Sequence, residues 1–338
     1  MNNGKSKILI IGGGGYIGTH VLVELLHAGL EVLVIDNFEN SFPSSLKKVS
    51  KIVSNKFKFL NIDVTNIKLL DKAFKNFIPD MVFHLAGKKN LLESFNFPLQ
   101  YYQSNVNGLI NILNKMDEYG CDKIILSSSA AIYGEPKQIP VSENSLVLPM
   151  SVYARTKFFI EEIAKDWSIS SNNKKAIILR YFNPVGNHKS GEIGENSKLE
   201  QNNLFPSILK VLENKKQYFN IYGNDLKTKD GTAIRDFIHV SDLAEVHLSC
   251  IGYFSKIKNY DVFNVGSGTG YSIKEIIKKF ELIFEKKIPL KVCDHRKGEI
   301  PISISNISKA NKLLNWYPKE NLEIIIRDLM KWKNKNNS

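Results

Sequence analysis

Cysteine is scarce: 338 residues contain only Cys121, Cys250 and Cys293. An odd number, spread this widely, builds no disulfide framework and shows no metal-ligand spacing, so a reducing, cytoplasmic setting without a metal site is expected. Long apolar runs are missing too. Ile8 to Ile11 stops at a glycine cluster, too short for a signal-peptide core, and no later stretch reaches the roughly eighteen apolar residues of a membrane span. No membrane association is expected. Acidic residues fall short of basic ones, 34 Asp and Glu against 46 Lys and Arg, which leaves a formal charge of +12. The lysines are scattered from Lys47 to Lys287 and no nucleic-acid motif accompanies them, so solvated helix faces explain the excess better than a nucleic-acid surface.

What is present suffices for a large core. Hydrophobic residues make up 43% of the chain, and the length fits one large domain or two closely joined ones. Short β-branched runs recur at 7–11, 31–36, 57–64, 81–87, 123–129 and 176–183, with helical patterns between them. Such βαβ repeats close right-handed, which predicts an α/β, Rossmann-like doubly wound parallel sheet. After Asn183 the texture turns polar and rich in Gly and Asn. A smaller mixed α/β lobe is expected at 183–236 and about 267–333, with residues 1–182 and about 237–266 forming the larger domain and 334–338 a frayed tail.

Gly12-Gly13-Gly14-Gly15-Tyr16-Ile17-Gly18 follows the first strand and opens an amphipathic helix. Glycines at 12, 15 and 18 permit a tight turn in which backbone N–H groups approach a pyrophosphate at the helix N-terminus. Asp36 ends the next strand, where a carboxylate binds an adenosine ribose and repels a 2′-phosphate, so NAD is expected over NADP. Asp63, at the end of the third run, suits either the adenine edge or an exposed turn.

Ser127-Ser128-Ser129 ends the fifth run, and reacting groups gather at the carboxyl ends of such strands. Downstream, Tyr153 and Lys157 are spaced i, i+4 on one helix face. A phenol is a poor base at neutral pH, but a nearby ammonium and a cationic nicotinamide both favour the phenolate. Tyr153 can then take a proton from a sugar hydroxyl, with Lys157 on the nicotinamide ribose and Ser129 on the substrate oxygen. Ala130 and Ala131 follow the serine run and cannot move protons.

Through GGGGYIG, HLAGKK (84–89), SSSAAIYG (127–134), YARTK, RYFNPVG (180–186), NNLFP (202–206), DGTAIRDFIHVSDLA (230–244) and RKGE (296–299), the chain resembles the UDP-galactose 4-epimerase family of the extended short-chain dehydrogenase/reductase superfamily. The resemblance implies Ser129, Tyr153 and Lys157 as the catalytic set. Gly12, Gly15, Tyr16, Ile17, Gly18, Asp36, Asn37, Asp63, Val64, Leu85, Ala86, Lys89 and Phe182 are implied contacts to a tightly held NAD. A UDP-hexose is implied at Asn183, Asn203, Leu204, Tyr222, Arg235, Arg296 and Glu299, with both arginines on the diphosphate and a structural salt bridge as their alternative. The implied reaction oxidises C4 to a ketone and reduces it from the other face. Ser303 stands where relatives confined to unacetylated sugars resemble a tyrosine wall, and a serine leaves room for an acetamido group. A homodimer is also implied, through helices near Tyr101 to Tyr119 and Tyr153 to Trp167. Lys88 is left without a role, and a nucleotide sensor or a UDP-sugar reductase remain as other readings.

Overall fold

The computed structural model describes residues 5–198, 203–295 and 299–336. Its strands in chain order are β1 (Lys7–Ile11), β2 (Glu31–Asp36), β3 (Lys58–Asn61), β4 (Met81–His84), β5 (Lys123–Ser129), β6 (Lys175–Tyr181), β7 (Asn183–Val185), β8 (Phe219–Tyr222), β9 (Ile234–His239), β10 (Tyr260–Val265), β11 (Gly270–Ser272), β12 (Leu290–Cys293) and β13 (Ile302–Ser303). Seven of them form one parallel sheet in the order β3-β2-β1-β4-β5-β6-β10. The order reverses at β1, so the carboxyl ends of β1 and β4 flank the crevice in which sheets of this kind hold ligands. No helix of the described residues is long and apolar enough to cross a membrane.

The central strands are apolar on both faces because helices cover both. Ile8 and Ile10 join a core with Val21, Leu22 and Leu25 of the helix Tyr16–His27 and Leu243 and Val246 of the helix Val240–Tyr253. Leu9 and Ile11 point the other way, into a core with Leu109 and Ile112 of the helix Gly108–Glu118 and Ile160 and Ala164 of the helix Val152–Ile169. Alternation along a single strand thus builds both layers.

A third core gathers Phe205, Ile208, Phe237, Ile276, Phe280, Ile325 and Ile326. It lies beside a four-stranded sheet in which β9 pairs with β7, β11 and β13, and a separate two-stranded sheet of β8 and β12.

Three boundaries differ from the sequence expectation. The sixth strand ends at Tyr181, because Asn183–Val185 leaves the main sheet to pair with β9. The third is only Lys58–Asn61, since Asp63 caps a turn by accepting from the Thr65 amide at 2.8 Å. The tail does not fray from Asn334: the helix Leu322–Asn336 runs on, tied down by Asn336 Nδ2 donating to the Gly191 carbonyl at 3.2 Å and by Lys335 on Glu192 at 2.6 Å.

Candidate active site

Gly12 takes a φ of +84°, open to glycine at little cost, and a β-carbon there would lie 2.6 Å from the Ala86 amide nitrogen. At Gly18 a β-carbon would lie 2.3 Å from the Gly12 carbonyl oxygen. The turn is therefore pressed against the segment after β4 and against its own helix. Gly15 is the N-cap of Tyr16–His27 and offers no side-chain cap, so the first helical N–H groups are left for an anion.

Asp36, nearly buried at the end of β2, accepts from the Gly14 amide at 2.9 Å, the Phe38 amide at 2.8 Å and Ser41 Oγ at 2.9 Å. Its carboxylate is thereby fixed beside the glycine turn. Asn37 Nδ2 donates to Asp63 at 2.7 Å. Burial pushes the Asp63 carboxyl up, but hydrogen bonds from Thr65 and Asn37 outweigh it and hold the group below its ordinary range.

These residues line a cavity of about 1110 Å³, together with Tyr16, Ile17, Val64, Leu85, Ala86, Lys89, Asn203, Leu204, Tyr222 and Glu299. A cleft of this size holds a dinucleotide and a second ligand end to end. The cradle that a β-carbon would fill and the fixed Asp36 carboxylate both fit NAD: the glycine turn would hold the pyrophosphate and Asp36 a ribose. Among the described residues no cluster of His, Cys, Asp or Glu could hold a metal ion.

The Ser, Tyr and Lys side chains stand behind the wall of this cavity. Lys157, 6% exposed, donates to the Ser127 carbonyl at 2.9 Å and to Ser127 Oγ at 3.4 Å. Its Nζ would be 3.8 Å from a β-carbon on Gly87, which lines the cavity. Burial pushes Lys157 down to about 8, and Glu161 pulls it back up. Ser129 caps the turn Ala130–Tyr133 by accepting from the Ala131 amide at 3.2 Å. Burial raises the Tyr153 phenol above its usual value, opposed by a hydrogen bond with Ser129. The expected help from a nearby ammonium takes a different form here, because Lys157 is aimed at Ser127.

Arg235 is likewise set one contact back. It donates to Glu299 at 2.6 Å and to the Ile234 carbonyl at 2.9 Å, and Glu299 reaches the cavity. Arg235 and Glu299 thus form an ion pair beside the cavity. Ser303 lies directly beside Arg235 across the β13–β9 pairing. Asn183 donates to the Asp236 carbonyl at 2.8 Å. Phe182 packs with Ile132, Tyr133 and Val141 in a small core of its own rather than on the cavity wall. Arg296 lies outside the described residues.

Glu39, Asn105 and Glu195 escaped the sequence reading. Lys88 is paired with Glu39 at 2.5 Å across the cavity, and its backbone is held by Asn105, at 2.8 Å from the Lys88 amide. Lys89 and Asn203 converge on Glu195, at 3.5 and 3.0 Å. Glu161, buried one turn past Lys157, was also missed, although its spacing in the helix marks the same face.

Residues 8–266 match the NAD dependent epimerase/dehydratase family. The chain is 40% identical to UDP-glucose 4-epimerase 2 of Arabidopsis thaliana, over 98% of its own length and 95% of that protein's. It superposes on the UDP-glucose 4-epimerase of Bifidobacterium longum, solved with NAD+ and UDP, with a TM-score of 0.93 at 36% identity, covering 98% and 99% of the two chains. The UDP-Glc/GlcNAc 4-epimerase of Campylobacter jejuni gives a TM-score of 0.85 at 34% identity over 98% and 99%. The family match over most of the chain and the likeness to an NAD+-bound epimerase agree with this fold and cavity: this chain belongs to the NAD dependent epimerase/dehydratase family, and its cofactor is NAD.

Proposed function

We propose that the protein interconverts UDP-galactose and UDP-glucose at C4 through a 4-keto sugar. The observation that carries this is Tyr153 on Ser129 and Lys157 on Ser127 at the carboxyl end of β5, one wall away from a cavity of about 1110 Å³. Bound NAD supplies a reversible acceptor for the C4 hydrogen and its electron pair. Tyr153 takes the O4 proton and returns it after the sugar has turned over, while Ser129 steadies O4 and Lys157 holds the nicotinamide ribose. Because the intermediate must rotate without escaping, tight contacts belong to the UDP end: Arg235 and Arg296 on the diphosphate, Glu299 on the uridine ribose, and Asn183, Asn203, Leu204 and Tyr222 around them. The Arg235–Glu299 pair supports this by holding that guanidinium beside the cavity that Glu299 lines.

Incubating the purified protein with UDP-galactose, without added cofactor, is expected to yield UDP-glucose, read by separating the UDP-sugars. No conversion even with NAD+ supplied and UDP bound would overturn the reading in favour of a sensor, and stoichiometric use of added cofactor would favour a reductase.

The N-acetylated sugars UDP-GlcNAc and UDP-GalNAc are further proposed substrates, supported by the small Ser303 beside Arg235 and by the likeness to the Campylobacter jejuni enzyme. Ser303→Tyr is expected to cut UDP-GlcNAc conversion at least about tenfold and spare UDP-galactose. A parent protein that leaves UDP-GlcNAc unconverted would sink this substrate range, and a variant equally active on both sugars would remove Ser303 as its cause.

A cytoplasmic homodimer completes the proposal. Its support is three free cysteines and the exposed apolar side chains Phe97, Leu99, Ile110 and Phe159, with Leu99 80% exposed. Sedimentation at the mass of one chain would remove the dimer. Residues 1–182 and about 237–266 are taken as the NAD unit, as the pairing of β10 with β6 favours, although β9 itself pairs in the smaller sheet that serves the sugar.

A further inference from the structure

Beneath the Ser, Tyr, Lys group lies a buried ion pair to which the proposed chemistry gives no role. Glu161 follows Lys157 by one helical turn and its side chain is fully buried. Arg180, the cross-strand neighbour of Ser128, grips it with two nitrogens: Nε donates to Oε1 at 3.0 Å and Nη2 to Oε2 at 2.7 Å. Ser128 Oγ donates to Oε1 at 2.5 Å. Arg180 Nη1 goes on to Tyr133 Oη at 2.9 Å, and that hydroxyl donates to Asn264 Oδ1 at 2.6 Å. One carboxylate thus ties the helix bearing Tyr153 and Lys157 to β5, which bears Ser129, and to β6.

A buried ion pair is a poor source of net stability, since desolvating two charges offsets most of their attraction, so a role in placing groups explains it better. We propose that Glu161, held by Arg180 and Ser128, is the counter-charge and positioning residue of Lys157. This rests on the assignment of Tyr153 and Lys157 made above.

The surroundings leave few competitors. From β4, His84 is buried and its ring is pushed down to about 3, so it is neutral at working pH and adds no charge against Lys157. Tyr101 and Tyr181, which face Tyr153, are raised by burial and stay neutral, and Tyr153, one turn earlier, is raised too and carries a charge only once it gives up its proton. Among the described residues Glu161 is then the standing anion acting on Lys157, and Arg180 is the cation that grips the same carboxylate. The carboxylate favours the ammonium against burial, and Arg180 draws on that carboxylate from the other side.

The test is the pH profile of turnover on the NAD-loaded protein, whose alkaline limb follows loss of the Lys157 charge. Glu161→Gln is expected to lower kcat with KM little changed and to move that limb to lower pH by about half to one pH unit. Arg180→Met frees the carboxylate and is expected to move it to higher pH. Should either single variant fail to fold, the double variant Glu161→Met, Arg180→Met, which leaves no unpaired charge, decides, with the limb expected at lower pH. Variants that fold and hold NAD with the limb unmoved would overturn the proposal and reduce the pair to a structural brace. A Tyr153→Phe variant with undiminished turnover would instead overturn the underlying assignment.

Discussion

Tyr153→Phe is expected to lower the conversion of UDP-galactose by about 10²–10⁴-fold, the range typical of a positioned proton-transfer group. The ring and its packing in the helix Val152–Ile169 are kept, and only the hydroxyl is lost. One hydrogen bond, to Ser129, goes with it, which costs about 1 kcal/mol of stability and is far from enough to unfold the chain. NAD and UDP should bind as before, because neither the glycine cradle nor the Arg235–Glu299 pair touches this oxygen. The loss should therefore appear in kcat. Burial alone holds the phenol protonated, so proton removal depends on positive charge nearby, from Lys157 and from the bound nicotinamide. A phenylalanine variant that keeps more than a tenth of the turnover would show that another group moves the proton.

Much of this arrangement is legible in the sequence because it is local. The strand, glycine turn, helix and second strand with its acid occupy residues 7–36, and β-branched runs with a glycine run between them have few other foldings. The Tyr153 and Lys157 spacing needs only the helical repeat. What stayed hidden depends on strands that meet across long stretches of chain. Arg180 reaches Glu161 because β5 and β6 pair in register, Ser128 opposite Arg180, and no pattern around residue 161 announces that partner. Arg235 and Glu299 meet because β13 lies parallel to β9. Phe182 sits where the chain turns from β6 into β7, and its packing with Ile132 and Val141 also depends on segments far apart in sequence.

Gly18→Ala separates the needs of the helix from those of the cradle, and NAD affinity is expected to fall by up to about a hundredfold. In an ordinary helix interior the exchange favours folding by about 1 kcal/mol. Here the new β-carbon would sit 2.3 Å from the Gly12 carbonyl oxygen and 2.6 Å from Gly13 Cα, both backbone atoms of the turn. Gly12 has little room to retreat, because its amide donates to the Ile35 carbonyl at 2.7 Å and it abuts the Ala86 amide. Overpacking of about 1–3 kcal/mol then exceeds the helical gain, and the turn whose N–H groups face the pyrophosphate is what moves. A strain of that size, released in the unbound turn and restored on binding, corresponds to up to about a hundredfold in Kd. Gly29→Ala is the control: its φ of +76° makes alanine strained, but a β-carbon there meets nothing within 4 Å, and it lies away from the cavity. That variant should lose stability and keep NAD, whereas Gly18→Ala should lose NAD out of proportion to its stability. If both variants bind NAD as the parent does, measured by titration and by cofactor retained on purification, the glycine turn is not the phosphate cradle.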